Sequence, residues 1–106
     1  MNKISETYSA ISISNAFLSN FDDAVEFSNK ALNIKLELND SKGISDCYSM
    51  LGSIYKAQNN LEKAFEFFFK SIQIREEISD YDGLANTYRS LGNAYELNSE
   101  LDTNKR

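Results

Sequence analysis

A chain of 106 residues that is 42% apolar, has no proline and holds only 4 glycines has the make-up of one small folded domain, not of a linker, a collagen-like tract or a disordered tail. Its 16 acidic and 11 basic side chains leave a net charge of −5, which repels phosphate backbones and anionic lipid and so excludes nucleic acid and membrane as expected partners. With no histidine, the usual general base near neutral pH and the commonest metal ligand are both missing; no glycine-rich phosphate loop, calcium loop or cysteine pair occurs, so the expectation is a non-enzyme without cofactor or metal.

The N-terminal stretch Met1 to Phe17 carries polar residues where a signal peptide needs an apolar core, and no run approaches the roughly 20 apolar residues of a membrane span. The expected location is cytoplasmic. Cys47 is the only cysteine and lies among apolar residues at helical spacing, which suits a reduced thiol in the core.

In chain order, a first helix is expected at about 2–18, closed by Ser19-Asn20, and a second at about 21–38, opened by Asp22 and Asp23 where the helix dipole favours acid. The polar segment Asn39 to Gly43 follows, with Asp40 as the cap of a third helix at about 41–57, whose stripe is Ile44, Cys47, Tyr48, Leu51 and Tyr55. Gln58-Asn59-Asn60 supplies the next break: Asn59 takes the left-handed conformation and Asn60 caps a fourth helix at about 61–78, with Leu61, Ala64, Phe65, Phe68 and Ile72 as its stripe. Ser79 to Gly83 connects, with Asp80 as cap, to a fifth helix at about 81–97. Ser99-Glu100 occupy the slot of the earlier breaks, so a separate stub is expected from about 100.

Shifting the chain by 40 positions pairs Tyr8 with Tyr48 and Tyr88, Ala24 with Ala64, Phe27 with Phe67, Gly43 with Gly83, Leu51-Gly52 with Leu91-Gly92, and Tyr55 with Tyr95. Roughly a quarter of the compared positions are identical without a gap, the mark of an internal repeat. Each period is a pair of helices, and connections this short force the pair antiparallel.

The string Tyr48, Leu51-Gly52, Tyr55, Ala64, Phe68, Ser71 resembles the tetratricopeptide signature. The third repeat keeps Tyr88, Leu91, Gly92 and Tyr95, whereas the first has Ser12 for the glycine, Asn15 for the tyrosine and Ser28 for the aromatic, as polar drift in a terminal cap would give. The period of 40 departs from the family's usual 34 and matches its long-helix variant. The resemblance implies an all-α, right-handed α-solenoid of antiparallel helix pairs, two full hairpins plus one further helix and a C-terminal stub. It would form a single repeat domain over 1–106, with repeats at about 1–40 and 41–80 and an incomplete one at 81–106. Gly52 costs roughly 1 kcal/mol in mid-helix, and Ala64 is the expected small residue facing it.

The same resemblance implies a protein-protein interaction module that binds a peptide, a partner protein or itself. The alternative is a sensory or oligomerisation segment of a larger signalling protein. First helices would line an inner groove carrying Glu6, Ser9, Ile13, Asp46, Ser49, Ser53, Lys56, Asn86, Arg89, Asn93 and Glu96. Arg89 and Asn93, one turn apart, suit a carboxylate, but a solvated helix face is the favoured reading of the pair.

In the run Phe65-Glu66-Phe67-Phe68-Phe69, Phe65 and Phe68 are expected to face the partner helix and Phe67 the next repeat. Phe69 is expected to be partly exposed on the convex side, either as a contact seed or as a single tolerated aromatic. The fifth helix offers Leu84, Tyr88, Leu91 and Tyr95, with Leu101 beyond, to a second helix that is hardly begun. This open end is the leading candidate for an interface, including a homo-oligomer through the incomplete C-terminal repeat.

Overall fold

In a computed structural model the chain is all-helical; the structure describes residues 2–104, with side chains described over 3–100. Five helices follow in order: α1 (Asn2–Phe17), α2 (Phe21–Glu37), α3 (Ser41–Ala57), α4 (Leu61–Glu77) and α5 (Tyr81–Asn104).

The four connections are built alike, because the sequence repeats the same turn chemistry. Their middle residues, Ser19, Asn39, Asn59 and Ser79, all take positive φ (63°, 53°, 63° and 58°). The following amide then reaches back to the last helical turn: Asn20 to Asn15 O, Asp40 to Lys35 O, Asn60 to Tyr55 O and Asp80 to Arg75 O, at 2.8 to 3.0 Å. This is the left-handed closure that satisfies otherwise orphaned carbonyls. The same residues open the next helix. Asp40 Oδ1 accepts from Gly43 N–H at 3.0 Å, Asn60 Oδ1 from Lys63 N–H at 3.4 Å and Asp80 Oδ1 from Gly83 N–H at 3.1 Å, whereas Asn20 makes no such side-chain bond.

The expected break at Ser99-Glu100 does not occur, and α5 continues as one helix through Asn104. Asn20, Asp40, Asn60 and Asp80 end the other connections with a short side chain able to cap. Glu100 is longer and a good helix former, so nothing stops the helix. The side chain of Leu101 lies outside the described residues.

Successive helices pack in turn. Among the described residues the backbone of α1 also comes close to α3 and that of α3 to α5, while the backbones of α2 and α4 stay apart. The odd helices therefore line the tighter, inner side of a slab of 50 × 32 × 17 Å, with α2 and α4 outside.

Two apolar clusters sit between these layers. One holds Ala31, Leu32, Cys47 and Leu51; the other holds Leu61, Ala64, Phe68, Ile72, Leu91 and Ala94. Gly52 lets α3 and α4 close, but the group that fills its space is the ring of Phe68, 2.7 Å from where a Cβ would stand, and not Ala64. Ser12 and Ser28, the first hairpin's counterparts of Gly52 and Phe68, are fully buried and do not drift on a surface. Ser12 donates to Ala24 O at 2.7 Å, so Ser28 supplies the proton of the 2.7 Å bond between the two hydroxyls.

The phenylalanine run is also corrected. Phe67 turns back to stack on Tyr55 (5.6 Å, 6°) and lie near Tyr48 (6.0 Å), beside the cluster shared with α2, while Phe65 meets Tyr95 of α5 (4.6 Å). Phe65 thus faces the next repeat and Phe67 its own hairpin partner α3, the reverse of the expected assignment.

Candidate functional site

The inner face opens into a cleft between α1 and α3. Its apolar end, about 280 Å³, is lined by Ile13, Ala16, Phe17, Met50, Ser53, Ile54 and Ala57. Ile13 and Phe17 are exposed there, because α1 turns Ser5 and Ser12 inward and leaves apolar residues outside. Through Ile13 and Met50 the cleft continues into a stretch of about 420 Å³ whose lining is largely apolar but whose polar rim carries Glu6, Ser9, Lys35, Asp40, Lys42 and Asp46. An exposed apolar trough with a charged end can take one face of an amphipathic segment.

Beneath the polar end lies a cluster that sequence reasoning did not single out. The Arg75 guanidinium is buried and bonds Asp80 Oδ2 through Nη1 at 2.6 Å and Asp46 Oδ1 through Nη2 at 2.8 Å. Its Nε is shared between Ser71 Oγ and Thr87 Oγ1, both at 3.1 Å. Ser71 donates to Ser45 O, Thr87 to Gly83 O, and Ser49 lies 2.6 Å from Ser71. One cation thereby ties α3, α4 and α5 together. The backbone N–H of Gly83 and, after it, Arg75 and Lys42 hold the Asp80 carboxyl below the usual carboxylate range. Asp40 is lowered in the same way by Gly43 and Lys35. The register of 40 carries the signal: Lys35 and Asp40, 3.3 Å apart, precede Arg75 and Asp80.

The remaining groove residues expected from the sequence fall into four groups. Ser53 is exposed and lines the cleft; Asn86, Arg89, Asn93 and Glu96 form an exposed polar stripe on α5. Lys56 is half-buried. Ser49 belongs to the Arg75 cluster and is not free to face a ligand in the groove.

At the open end, Leu91 is only 6% exposed and Leu84 is half-buried, both against α4, so these two do not form the open stripe expected of them. They settle there because α5 uses them to cover the exposed side of α4. Tyr88 and Tyr95 remain half-exposed, Tyr88 donating to Glu76 Oε1 at 3.3 Å. Apart from the adjoining backbone of α5 and Gly92's own chain neighbours, no described atom lies within 4 Å of where a Cβ on Gly92 would stand. Phe69 is 48% exposed on the outer helix α4.

Among the described residues no group of acidic or cysteine side chains is placed to hold a metal ion, and no helix is long and apolar enough to cross a membrane. Among curated proteins, none matches the sequence. The sequence profile of the tetratricopeptide repeat matches residues 3–77, which is α1 through α4 and well over half of the chain. Together with the all-helical architecture, that match places the chain in the tetratricopeptide repeat family, whose members generally mediate protein–protein interactions and are typically non-catalytic.

Proposed function

We propose that this chain is a non-catalytic binding module that takes an amphipathic segment of a partner protein along the α1–α3 cleft. The carrying observation is the exposed apolar trough of Ile13, Phe17 and Met50 running into the charged stretch at Lys42 and Asp46. An apolar anchor would seat beside Met50, while the charged end would fix direction. Arg89, Asn93 and Glu96 on α5 extend the same inner side and would contact a longer segment.

Selection of displayed peptides on the immobilised chain, followed by titration of a selected peptide, tests this reading. Met50→Glu and Ile13→Asp are expected to weaken binding at least about tenfold, the effect of losing a central anchor, with the helical content unchanged. Binding that ignores both substitutions sinks the proposal.

A second reading rests on the tyrosines left half-exposed on α5: this segment joins chains, or regions of a larger regulatory protein, through its open face. Phe69 is a smaller candidate contact on the outer side.

A further inference from the structure

The open face of α5 has a pattern of its own. Tyr81, Ala85, Tyr88, Gly92, Tyr95 and Ser99 are all exposed and follow each other at spacings of four and three, so they form one straight seam along the helix. Tyrosine alternates with a small residue throughout. The order is also symmetric about position 90: read backwards, each tyrosine falls where the forward reading has a small residue.

We propose that this seam pairs with the same seam of a second copy, antiparallel, about a two-fold axis passing near residue 90. This deepens the open-face reading above and rests on it. In that register Tyr88 of each copy sits over Gly92 of the other, Tyr95 over Ala85, and Tyr81 over Ser99, so every ring meets a hollow. The chain already uses this packing inside its second hairpin, where the Phe68 ring lies in the space left by Gly52, the residue equivalent to Gly92.

Two of the three rings are set before association. Tyr88 is held by its bond to Glu76, and Tyr95 by stacking on Phe65 at 4.6 Å, which lowers the entropy cost of pairing. The exposed fractions of Tyr81, Tyr88 and Tyr95 are 73%, 50% and 49%. At roughly 200 Å² per aromatic side chain these represent ~350 Å² per copy. With both copies and the small residues between the rings, the buried total comes to ~1,000–1,200 Å², the lower edge of specific interfaces. The expected product is a dimer that dissociates at micromolar concentration.

Charge sharpens the register. Arg89 borders the seam one residue from the axis, so the two copies of Arg89 approach each other, and each chain carries a net charge of −5. Added salt should therefore strengthen the dimer, opposite to an interface built on ion pairs.

Sedimentation velocity on the 106-residue chain, from about 1 to 100 μM, provides the test. The wild type is expected to move from monomer to dimer across that range. Gly92→Leu, which fills the hollow, and Tyr88→Ser, which removes the ring, should each raise the dissociation constant at least about tenfold at unchanged helicity. Arg89→Gln should lower it. Mixing a Tyr88→Cys chain with a Gly92→Cys chain under oxidation should give a cross-linked heterodimer faster than either chain alone. A monomer throughout, a dimer indifferent to Gly92→Leu, open-ended growth to larger species, or faster cross-linking of either chain alone would each overturn the pairing. A monomeric chain that still binds a selected peptide in a Met50-dependent way would leave the cleft reading standing, so the two failures are separable.

Discussion

The ring of Phe68 occupies the space that a side chain on Gly52 would need, at 2.7 Å from the missing Cβ, and the first hairpin solves the same crossing with two buried serines at these positions. Large against nothing and medium against medium are two fillings of one gap. Gly52→Leu should lower the thermal midpoint by wedging the hairpin, at a cost of about 1–3 kcal/mol or more; an unchanged midpoint would show that α3 and α4 are not in close contact. Ser12→Gly with Ser28→Phe should destabilise less than the sum of the single changes, by about 1 kcal/mol in a double-mutant cycle.

Arg75 is a buried cation with two carboxylates and three hydroxyls around it, so its removal leaves the buried Ser71 and Thr87 and the largely covered Asp80 without their partner, while Asp46, 54% exposed, returns to water. Arg75→Ala is expected to cost about 1–3 kcal/mol in denaturant unfolding, the range for leaving buried hydrogen-bonding groups unsatisfied. Lysine keeps the charge but not the planar fork, so Arg75→Lys should recover only part of the loss. Equal stability of all three proteins would remove the cluster's structural role.

The carboxyls of Asp40 and Asp80 titrate below their ordinary value of 3.8 in the folded chain, chiefly because a backbone N–H caps each one. Protonation therefore favours the unfolded chain. Their stabilisation is complete above the ordinary value and is lost as the pH falls through the lowered folded values. Melting curves between about pH 6 and about pH 3 should show the midpoint falling at the acid end. Asp80→Asn keeps the capping oxygen but does not titrate, and should flatten that fall.

Burial, with Asp46 adding to it, pushes the Cys47 thiol up to about 11. At neutral pH it stays protonated and covered, so alkylation of the native chain should be at least about tenfold slower than that of a free thiol, and should become rapid in denaturant. Fast native labelling would mean that the α2–α3 core opens readily.

Helices, turns and caps were legible because each rests on local chemistry repeated at a fixed interval: a small polar residue in the left-handed position, then Asn or Asp as cap. The boundary at Ser99 was misread because serine fits the slot while Glu100 does not. The directions of Phe65 and Phe67 were not legible, since four phenylalanines in five residues populate every face and spacing no longer selects one. Arg75 carries no distinguishing mark in the sequence, since a basic residue in the last turn of a helix also suits the helix dipole. Of the candidate sites, the exposed stripe on α5 was visible in the pattern. The apolar cleft depends on α1 turning serines inward, which pairing in space decides.

Tyr55 packs against both apolar clusters, one on each side, with its ring stacked on Phe67 and the Lys63 ammonium 5.2 Å from its centre. Two cores that share a side chain cannot lose order one at a time without exposing it. The cooperative unit is then not the repeat but the stretch from α2 to α5 that meets at this ring. Amide exchange should be slowest and nearly uniform in α3 and α4, and fastest in α1, whose serine-lined contact with α2 contributes little apolar burial.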